Sequence, residues 1–359
     1  MVPVADLRVS LDVALAPAAA FDVLVEELAG ALARMGLRFE PGPGGRVTEG
    51  PDLVGKVFTW EPGRGLALEW RHASWNPGVV TEVRLLLEPA GAGAKATFEH
   101  RGWDAAIGDP GEMAGWFAAQ VLAPLLAASG PGAFGDWFTD RRARRPSGAA
   151  ARATYLHPLY HYPNFRVILA ELALTREDRL LDVGCGGGAF LKAALQSGCR
   201  AAGIDHSADM VRLTTEANRG AVAAEHLEVR EADAGSLPFP DGRFTCAAMT
   251  GVLGFLPDPV RVLGEIRRVL RPGGRFVGLG ADPELKGTPA APEPMASRLR
   301  FYDSEQLEAL AREAGFLEVR VVRRDLQPFA REAGVPEEHL PLFAAGESGG
   351  ARFLIARKA

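Results

Sequence analysis

The stretch Asp178–Leu195 reads DRLLDVGCGGGAFLKAAL, and it decides the fold of the second half of the chain. It begins as a short apolar strand, turns through a glycine-rich segment and then opens a helix. Glycine permits a tight turn and lets a ligand approach the backbone closely. The N-terminus of the helix beyond offers free N–H groups and positive potential to an anionic group. The stretch therefore predicts a strand–turn–helix unit built to bind a ligand.

The glycine pattern, taken alone, leaves two cofactors open. Gly184, Gly186 and Ala189 satisfy the G-x-G-x-x-G/A dinucleotide pattern, whereas Gly184, Gly186 and Gly188 satisfy G-x-G-x-G. Asp205, in AAGIDHS, ends the next predicted strand. Its carboxylate can accept hydrogen bonds from both hydroxyls of a ribose. NAD and S-adenosylmethionine both fit these features.

The two halves of the chain differ in their pattern of elements. From residue 178 strands alternate with helices, which indicates a parallel doubly wound sheet. The first half reads as a strand, a helix, several strands and a long helix, and it holds all six tryptophans. The charged run RRARRPSGAAAR separates the halves. We predict an N-terminal domain over 1–140, a linker over 141–152 and a second domain over 153–359.

Four motifs over residues 178–280 resemble those of class I S-adenosylmethionine-dependent methyltransferases of the UbiE type. In family order they are LLDVGCGGG, GIDHSADM, VREADAGSLPFPDGRF and FLPDPVRVLGEIRRVLRPGGRFVG. The resemblance implies an α/β, Rossmann-like, seven-stranded methyltransferase domain and favours S-adenosylmethionine over NAD. It also implies that the strands LEVRVVRRDL and ARFLIARK form a hairpin, which makes the final strand antiparallel.

The resemblance, carried over by position, implies a cofactor site. The glycines pass close to the amino-acid moiety of the cofactor, an aspartate before them helps to hold its ammonium group, and the acid after the next strand binds the ribose. A methionine packs near the adenine, which an acid and the neighbouring amide also contact. In that order the residues are Gly184, Gly186, Gly188, Asp182, Asp205, Met210, Asp233 and Ala234.

The segment TYLHPLYHYPNF, residues 154–165, holds three of the four tyrosines directly before an apolar helix. In the family, the elements before the first strand form a lid over the cofactor. A ring face near the sulfonium would contribute about 0.5–2 kcal/mol by cation–π attraction. We therefore predict that Tyr160 contacts the cofactor and that Tyr160 and His161 are catalytic. A spacer whose rings pack for stability is the alternative.

The mouth of the expected active site departs from the family pattern. GVLGFLPDP has Gly254 and Phe255 where many relatives carry a pair of histidines. The change removes the most obvious general base and makes the mouth more apolar. His157, His161 and His206 remain as candidate bases, because histidine titrates near neutral pH. The sequence predicts a small acceptor, aromatic or otherwise apolar, and no metal.

The N-terminal half resembles the AHSA1-like branch of the START/Bet v1 superfamily (SRPBCC). The resemblance lies in the order of elements and in WNPGVVTEVRLLLEPAGAGAKATFEHRGW before the last helix. It implies an α+β helix-grip fold, in which an antiparallel sheet wraps a long C-terminal helix and leaves an apolar cavity. An aromatic wall would suit a flat apolar ligand. The tryptophans can also be plain core, and His100 either points into the cavity or is a satisfied core histidine.

Composition excludes several classes of protein. The net charge of −5 argues against a general nucleic-acid binder. The three cysteines form no C-x-x-C pair, which excludes a disulfide framework and a cysteine-rich zinc site. There is no signal-peptide pattern, and no apolar run reaches the about 18 residues that span a bilayer. We expect a cytoplasmic protein with a small-molecule partner and no nucleic-acid or membrane partner. Its oligomeric state is not predicted.

The predicted function is methyl transfer from S-adenosylmethionine to a small acceptor that the N-terminal domain binds or shields. Two alternatives stay open. One is a regulatory protein that binds the cofactor and docks a partner with little turnover. The other is a nicotinamide enzyme, which the G-x-G-x-x-A pattern permits.

Overall fold

The computed structural model describes residues 6–71, 75, 78–103, 110–288, 291–344 and 351–359. The chain divides into two compact units, Met1–Trp137 and Phe138–Ala359. The first five residues of the predicted N-terminal strand lie outside the described part, as do Asn76 and Pro77 of the AHSA1-like motif.

The first unit contains a sheet, an N-terminal helix and a group of closing helices. Its elements are β1 (Leu7–Val13), α1 (Pro17–Arg34), β2 (Leu37–Phe39), β3 (Arg46–Glu49), β4 (Asp52–Glu61), β5 (Gly65–Trp70), β6 (Thr81–Ala90), β7 (Gly93–Arg101), α2 (Pro110–Phe117), α3 (Ala123–Ala128) and α4 (Ala133–Thr139), in which the division between the units falls.

The sheet of the first unit is antiparallel throughout. Its seven strands lie in the order β1-β7-β6-β5-β4-β3-β2. The apolar stripe expected on α1 is buried: Phe21, Leu24, Val25, Leu28 and Leu32. Every second residue of β6 from Thr81 to Leu87 is buried as well, because side chains alternate across a strand. This architecture confirms the predicted helix-grip class.

The long closing helix of the first unit is interrupted, as the proline in it predicts. A wider π turn, Ala118–Leu122, separates α2 from α3, and Pro124 lies in the first turn of α3. Proline has no N–H for the carbonyl four residues earlier. The Ala123 N–H instead donates to the Ala118 carbonyl, which is the wider spacing of a π turn.

The second unit alternates strands with helices. Its elements are α5 (Gly148–Leu156), α6 (Tyr162–Leu172), β8 (Arg179–Val183), α7 (Ala189–Ala194), β9 (Arg200–Asp205), α8 (Ala208–Ala217), α9 (Arg219–Ala223), β10 (Leu227–Glu231), β11 (Phe244–Met249), α10 (Pro259–Val269), β12 (Leu270–Leu279), α11 (Ser304–Glu313), β13 (Glu318–Arg324), α12 (Gln327–Ala333) and β14 (Ala351–Arg357).

The second sheet has the predicted methyltransferase topology. Its seven strands lie in the order β10-β9-β8-β11-β12-β14-β13. The first five are parallel to their neighbours, while β14 pairs antiparallel with both β12 and β13. Parallel strands place their carboxyl ends at one edge, where ligands of such sheets bind. Asp182 lies at this edge, paired with Gly203 of β9 and Ala248 of β11.

The C-terminal elements follow their local sequence signals. Asp303 caps α11 in a capping box, since its side chain accepts from the Gln306 N–H and the Gln306 side chain accepts from the Asp303 N–H. The insertion between β13 and β14 is too long for a hairpin turn. It forms α12 and a 3₁₀ helix, Glu337–Phe343, before residues 345–350, which lie outside the description.

The segment predicted as a linker, 141–152, contains helical structure. A π turn spans Asp140–Arg144, and α5 begins at Gly148, so much of the segment belongs to the second unit. Arg144 pairs with Asp140 at 3.0 Å, one turn apart along the chain. The charged residues of this segment lie on helical turns. These turns were not predicted, because the segment has no apolar periodicity.

Two searches of the described residues bear on membranes and metals. No single helix there is long and apolar enough to cross a membrane, although one bent pair, Gly115–Ala128 with Ala133–Arg144, meets the length and composition. No group of three or more His, Cys, Asp or Glu side chains in the same residues is placed to hold a metal ion.

Candidate active site

The glycine turn follows β8 at the carboxyl edge of the second sheet. Gly184, Gly186 and Gly188 all have left-handed backbone, with φ of 77°, 51° and 79°. A side chain on any of them would also collide with a neighbour: a Cβ on Gly184 would lie 2.3 Å from Val252, and one on Gly188 would lie 2.5 Å from Asn218. The turn therefore requires glycine for its conformation and for its close contacts.

Asp182 is a buried carboxylate without a full set of partners. It is 1% exposed, and its Oδ2 has no hydrogen-bond partner among the described residues. Burial, together with the nearby charge of Asp205, raises the pKa of Asp182 to about 8. Such a group is stabilised by a cation or a hydrogen-bond donor that the protein itself does not supply.

Asp205 ends β9 and is hydrogen-bonded to the glycine turn. Its Oδ2 accepts from the Gly186 N–H at 3.0 Å, and its Oδ1 accepts from the Ser207 N–H at 2.9 Å. Burial raises the pKa of Asp205, although these backbone bonds oppose the rise. The carboxylate therefore ties the ends of β8 and β9 together and keeps lone pairs for other donors.

The remaining predicted cofactor residues lie around the same edge. Met210 is fully buried in α8, and its N–H donates to the Ser207 side chain at 3.3 Å. Asp233 follows β10, is exposed, and accepts from the Gly235 N–H at 2.6 Å. Ala234, beside it, is half-buried. Met210 thus has the environment of a core residue, whereas Asp233 holds a turn and faces solvent.

A tyrosine outside the predicted set covers the glycine turn. A Cβ on Gly186 would lie 2.8 Å from the Tyr155 ring, and one on Gly187 would lie 2.2 Å from the Tyr155 carbonyl oxygen. Tyr155 belongs to the segment 146–156, and two hydrogen bonds link the start of this segment to the start of α8. Ser207 Oγ donates to the Pro146 carbonyl at 2.5 Å, and the Gly148 N–H donates to Asp209 at 3.0 Å. Residues 146–156 therefore form a cover over the glycine turn and Asp205.

A cavity of about 760 Å³ opens beside this edge, within the second unit. Its walls are the segments that follow β11 and β12, the loop before α11, the segment between α5 and α6, and the insertion before β14. Most of the lining is apolar, with Leu253, Phe255, Leu279, Met295, Phe301 and Phe343 among it. Phe255 confirms that the position held by histidine in many relatives presents an apolar surface here.

His161 faces this cavity at the end of β11. Its Cε1 lies 3.4 Å from the place where a Cβ on Gly251 would stand, and its Nδ1 is shielded without a partner among the described residues. Burial lowers the pKa of His161, so the ring is neutral at pH 7. A neutral imidazole with an unpaired ring nitrogen can accept a proton.

Tyr160 borders the same cavity but faces a different element. Its hydroxyl lies 2.7 Å from His339 Nδ1, and its ring stacks on Phe343 with centroids 6.4 Å apart. The tyrosine beside the glycine turn is thus Tyr155, and Tyr160 lies against the insertion. The sequence could not distinguish them, because only the fold decides which ring reaches which loop.

Of the other two candidate bases, only one lines the cavity. His157 is exposed and lines the cavity, whereas His206 is exposed beside Asp205 and does not line it. Sequence reasoning missed Thr250, whose buried Oγ1 has no partner among the residues described. Its position could have identified it from the sequence, because Thr250 directly follows the buried strand β11, which pairs with the strand that carries Asp182.

These residues fit S-adenosylmethionine at the turn and at the strand end. Left-handed glycines leave the backbone of the turn approachable, and the orphaned Asp182 Oδ2 suits an ammonium group. The unpaired Thr250 and His161 lie at the neighbouring strand. Asp182, the glycines and Asp205 would hold the cofactor, provided that the cover over the turn moves.

Two family models match the chain. One, described as a methyltransferase domain, matches residues 181–278. The other, described as activator of Hsp90 ATPase homolog 1-like protein, matches residues 27–121.

Several methyltransferases are relatives of part of the chain. The 27-O-demethylrifamycin SV methyltransferase of Amycolatopsis mediterranei is 35% identical over 169 residues, which is 46% of this chain and 57% of that protein. The demethylmenaquinone methyltransferase of Thermus thermophilus is 40% identical over 124 residues, 33% of this chain and 54% of that one. The O-methyltransferase resE of Aspergillus sclerotiorum is 32% identical over 178 residues, 46% of this chain and 66% of that one.

The chain spans about half the length of the first two of these relatives. The predicted resemblances are confirmed at the level of domains. The chain therefore combines a domain of the AHSA1-like family with a domain of the methyltransferase family.

Proposed function

We propose that the protein is an S-adenosylmethionine-dependent methyltransferase whose acceptor is a small apolar molecule with an aromatic hydroxyl. One observation carries the proposal. A mostly apolar cavity of about 760 Å³ meets the carboxyl edge of the sheet at His161 and Gly251, which follows the strand next to the one that carries Asp182. Pockets of this size hold small-molecule ligands.

The lining supports an apolar acceptor in preference to a cationic one. Burying an aromatic ring against Leu253, Phe255 and Phe301 removes apolar surface from water, at about 25 cal/mol per Å². Acidic side chains occur at one place in the lining, where Asp282 pairs with Arg352 and is neutralised by it. A cationic group on the acceptor would lose its hydration without gaining an unpaired acid, whereas Arg142 is a basic side chain in the lining.

His161 is the proposed general base. Burial lowers its pKa, so it is unprotonated at pH 7 and can take the proton of an acceptor hydroxyl on a ring nitrogen. S-adenosylmethionine supplies an electrophilic methyl carbon, and the acceptor oxygen gains that methyl while S-adenosylhomocysteine leaves. The protein aligns the acceptor and excludes water, which can supply about 7–11 kcal/mol of the barrier reduction.

The test is formation of S-adenosylhomocysteine by the full chain with 4-alkylphenols. The wild type should form product, and His161→Gln should lose at least about 100-fold in kcat, the usual scale of general-base catalysis. His226→Gln is the matched control, because His226 is exposed and does not line the cavity. Equal rates for wild type and His161→Gln would refute the assigned base, and no turnover of any phenol would refute the acceptor class.

The N-terminal unit is proposed to bind an apolar molecule that carries a hydroxyl, as the acceptor does. Thr81 Oγ1 donates to the Trp70 carbonyl at 3.1 Å, so its oxygen must accept from His100 Nε2 at 2.7 Å. His100 Nδ1 is then an acceptor, and the pKa of His100 is lowered to about 4 by burial. Neither this nitrogen nor Trp70 Nε1 has a partner among the described residues. A ligand hydroxyl could donate to His100 Nδ1, and a ligand oxygen could accept from Trp70 Nε1.

All six tryptophans precede residue 138, so tryptophan fluorescence of the full chain reports the N-terminal unit alone. Titration with 4-alkylphenols should quench this fluorescence with saturation, and Trp70→Phe should weaken the effect. Fluorescence that falls only in proportion to absorbance would show that the unit binds no such ligand. The observed packing of the tryptophans against the core is compatible with either result.

One observation favours the alternative of a regulatory protein. Tyr155 lies on the glycine turn, where it would limit access of the cofactor. A protein of this kind would bind S-adenosylmethionine without forming S-adenosylhomocysteine from any acceptor. The product assay described for His161 separates the two functions directly.

A further inference from the structure

We propose that the insertion Leu326–Phe343, here named the acceptor wall, sets the length of the apolar tail that the acceptor can carry. This inference rests on the proposed function, because it assigns the acceptor to the 760 Å³ cavity. The acceptor class it predicts is a phenol with an extended alkyl or similarly slender apolar substituent. The reacting hydroxyl lies near His161, and the tail ends against the wall.

The wall contributes side chains directly to the cavity. Leu326, Pro341, Leu342 and Phe343 line it. Leu326 and Phe343 are buried, and the Leu326 N–H donates to the Phe343 carbonyl at 2.8 Å, which closes the two ends of the segment on each other. The wall is therefore a compact element with its own closure, although it lies between two strands of a hairpin.

The wall is attached to the start of α6. Tyr160 reaches it through the 2.7 Å contact with His339 and by stacking on Phe343. One helical turn further along, Arg166 donates to both carboxylate oxygens of Glu332 at 3.1 and 3.2 Å, and its guanidinium lies over the Phe329 ring. Ring stacking, a hydroxyl contact and an exposed ion pair together link the wall to this segment.

The two residues directly before α6 face different parts of the cavity wall. Tyr160 and His161 are consecutive, but Tyr160 contacts His339 of the acceptor wall, whereas His161 lies near Gly251, which follows β11. The candidate proton acceptor and the acceptor wall therefore lie on different sides of the cavity. An acceptor that fills the cavity would place its hydroxyl near His161 and its apolar tail against the acceptor wall.

The size of the cavity requires a tail. A cavity of about 150 Å³ holds a benzene molecule, whereas this one measures about 760 Å³. A bare phenol would leave most of the lining without a partner. Affinity should rise about fourfold for each buried CH₂ that the tail adds, until the tail meets the wall.

The experiment is calorimetric titration of the full chain, with S-adenosylhomocysteine present, using 4-alkylphenols from ethyl to dodecyl. The wild type should show affinity that rises with chain length and then falls beyond an optimum. Phe343→Ala and, separately, the less buried Leu342→Ala should move the optimum to longer chains by about two CH₂ groups. Phe329→Ala is the matched control, because Phe329 belongs to the same insertion but does not line the cavity.

Each outcome decides the inference. An optimum that moves in the two lining variants and stays in the control supports the wall as the determinant of length. The same optimum in all four proteins, or no binding of any alkylphenol to the wild type, overturns it. Because binding is measured without turnover, a wall-dependent optimum in a protein that forms no S-adenosylhomocysteine would leave this inference standing and remove the proposed function.

Discussion

Asp182 is buried, and one of its carboxyl oxygens has no hydrogen-bond partner among the described residues. Its carboxyl has a pKa near 3.8 when unfolded and about 8 in the folded protein, mainly because of burial. The folded state therefore keeps a proton that the unfolded state releases above pH 4. Stability should fall as the pH rises from about 4 to 8, by up to about 1.4 kcal/mol per pH unit.

The variant Asp182→Asn should make this decline shallower, because the amide does not titrate. The measurement is the free energy of unfolding of the full chain by urea between pH 5 and 8. Asp233→Asn is the control, since Asp233 is an exposed acid in the same site. An equal slope in wild type and Asp182→Asn would show that Asp182 is ionised in the folded protein.

Gly186 tests whether the turn requires glycine for more than its backbone angle. Ala at Gly186 and at Gly273 would both have left-handed backbone, at a cost of about 1–2 kcal/mol. Only Gly186→Ala also collides with the Tyr155 ring, while a Cβ on Gly273 meets nothing within 4 Å. Gly186→Ala should lower the Tm by several degrees more than Gly273→Ala in thermal unfolding. Equal losses would mean that Tyr155 moves freely.

Some residues of the site were predictable and others were not. Asp182 and the glycines lie within one motif and Asp205 lies in the next, and motifs of this kind indicate a strand, a turn and an acid by local spacing. Tyr155 and Thr250 are absent from any local pattern. Their importance depends on which elements the fold brings to the same edge.

At the scale of elements, residues 146–156 cover the glycine turn, with Tyr155 beside Gly186 and Gly187. If binding requires the cover to open, the apparent Kd is the intrinsic Kd divided by the fraction of molecules that are open. Tyr155→Ala should therefore bind S-adenosylhomocysteine several-fold more tightly than the wild type in calorimetry. Leu156→Ala is the control, because Leu156 is an exposed residue of the same helix. Weaker binding by Tyr155→Ala would show that the tyrosine contacts the cofactor instead of competing with it.

Elements with strong local signals were predictable. The capping box at Asp303, the apolar stripe of α1 and the place of Pro163 in the first turn of α6 each depend on residues only a few positions apart in the sequence. The helices within 140–156 and the acceptor wall were not, because a charged run and a mixed insertion carry little periodicity. Tertiary contacts, such as those of Ser207 with Pro146 and of Tyr160 with His339, define their positions.

At the scale of the whole molecule, the chain joins an antiparallel helix-grip unit to a parallel-sheet methyltransferase unit. Both fold classes were expected from the order of the predicted elements and from the two family resemblances. The domain boundaries at 140 and 152 stay a prediction, as does the joint action of the two units on one acceptor.

The central claim is that the second unit binds S-adenosylmethionine at the glycine turn. Calorimetric titration of the full chain with S-adenosylmethionine and with NAD tests it most directly. We predict one site per chain for S-adenosylmethionine with a micromolar Kd, strong weakening in Asp205→Asn, and no heat of binding with NAD. Binding of NAD, or the absence of S-adenosylmethionine binding by both wild type and Tyr155→Ala, would contradict the account.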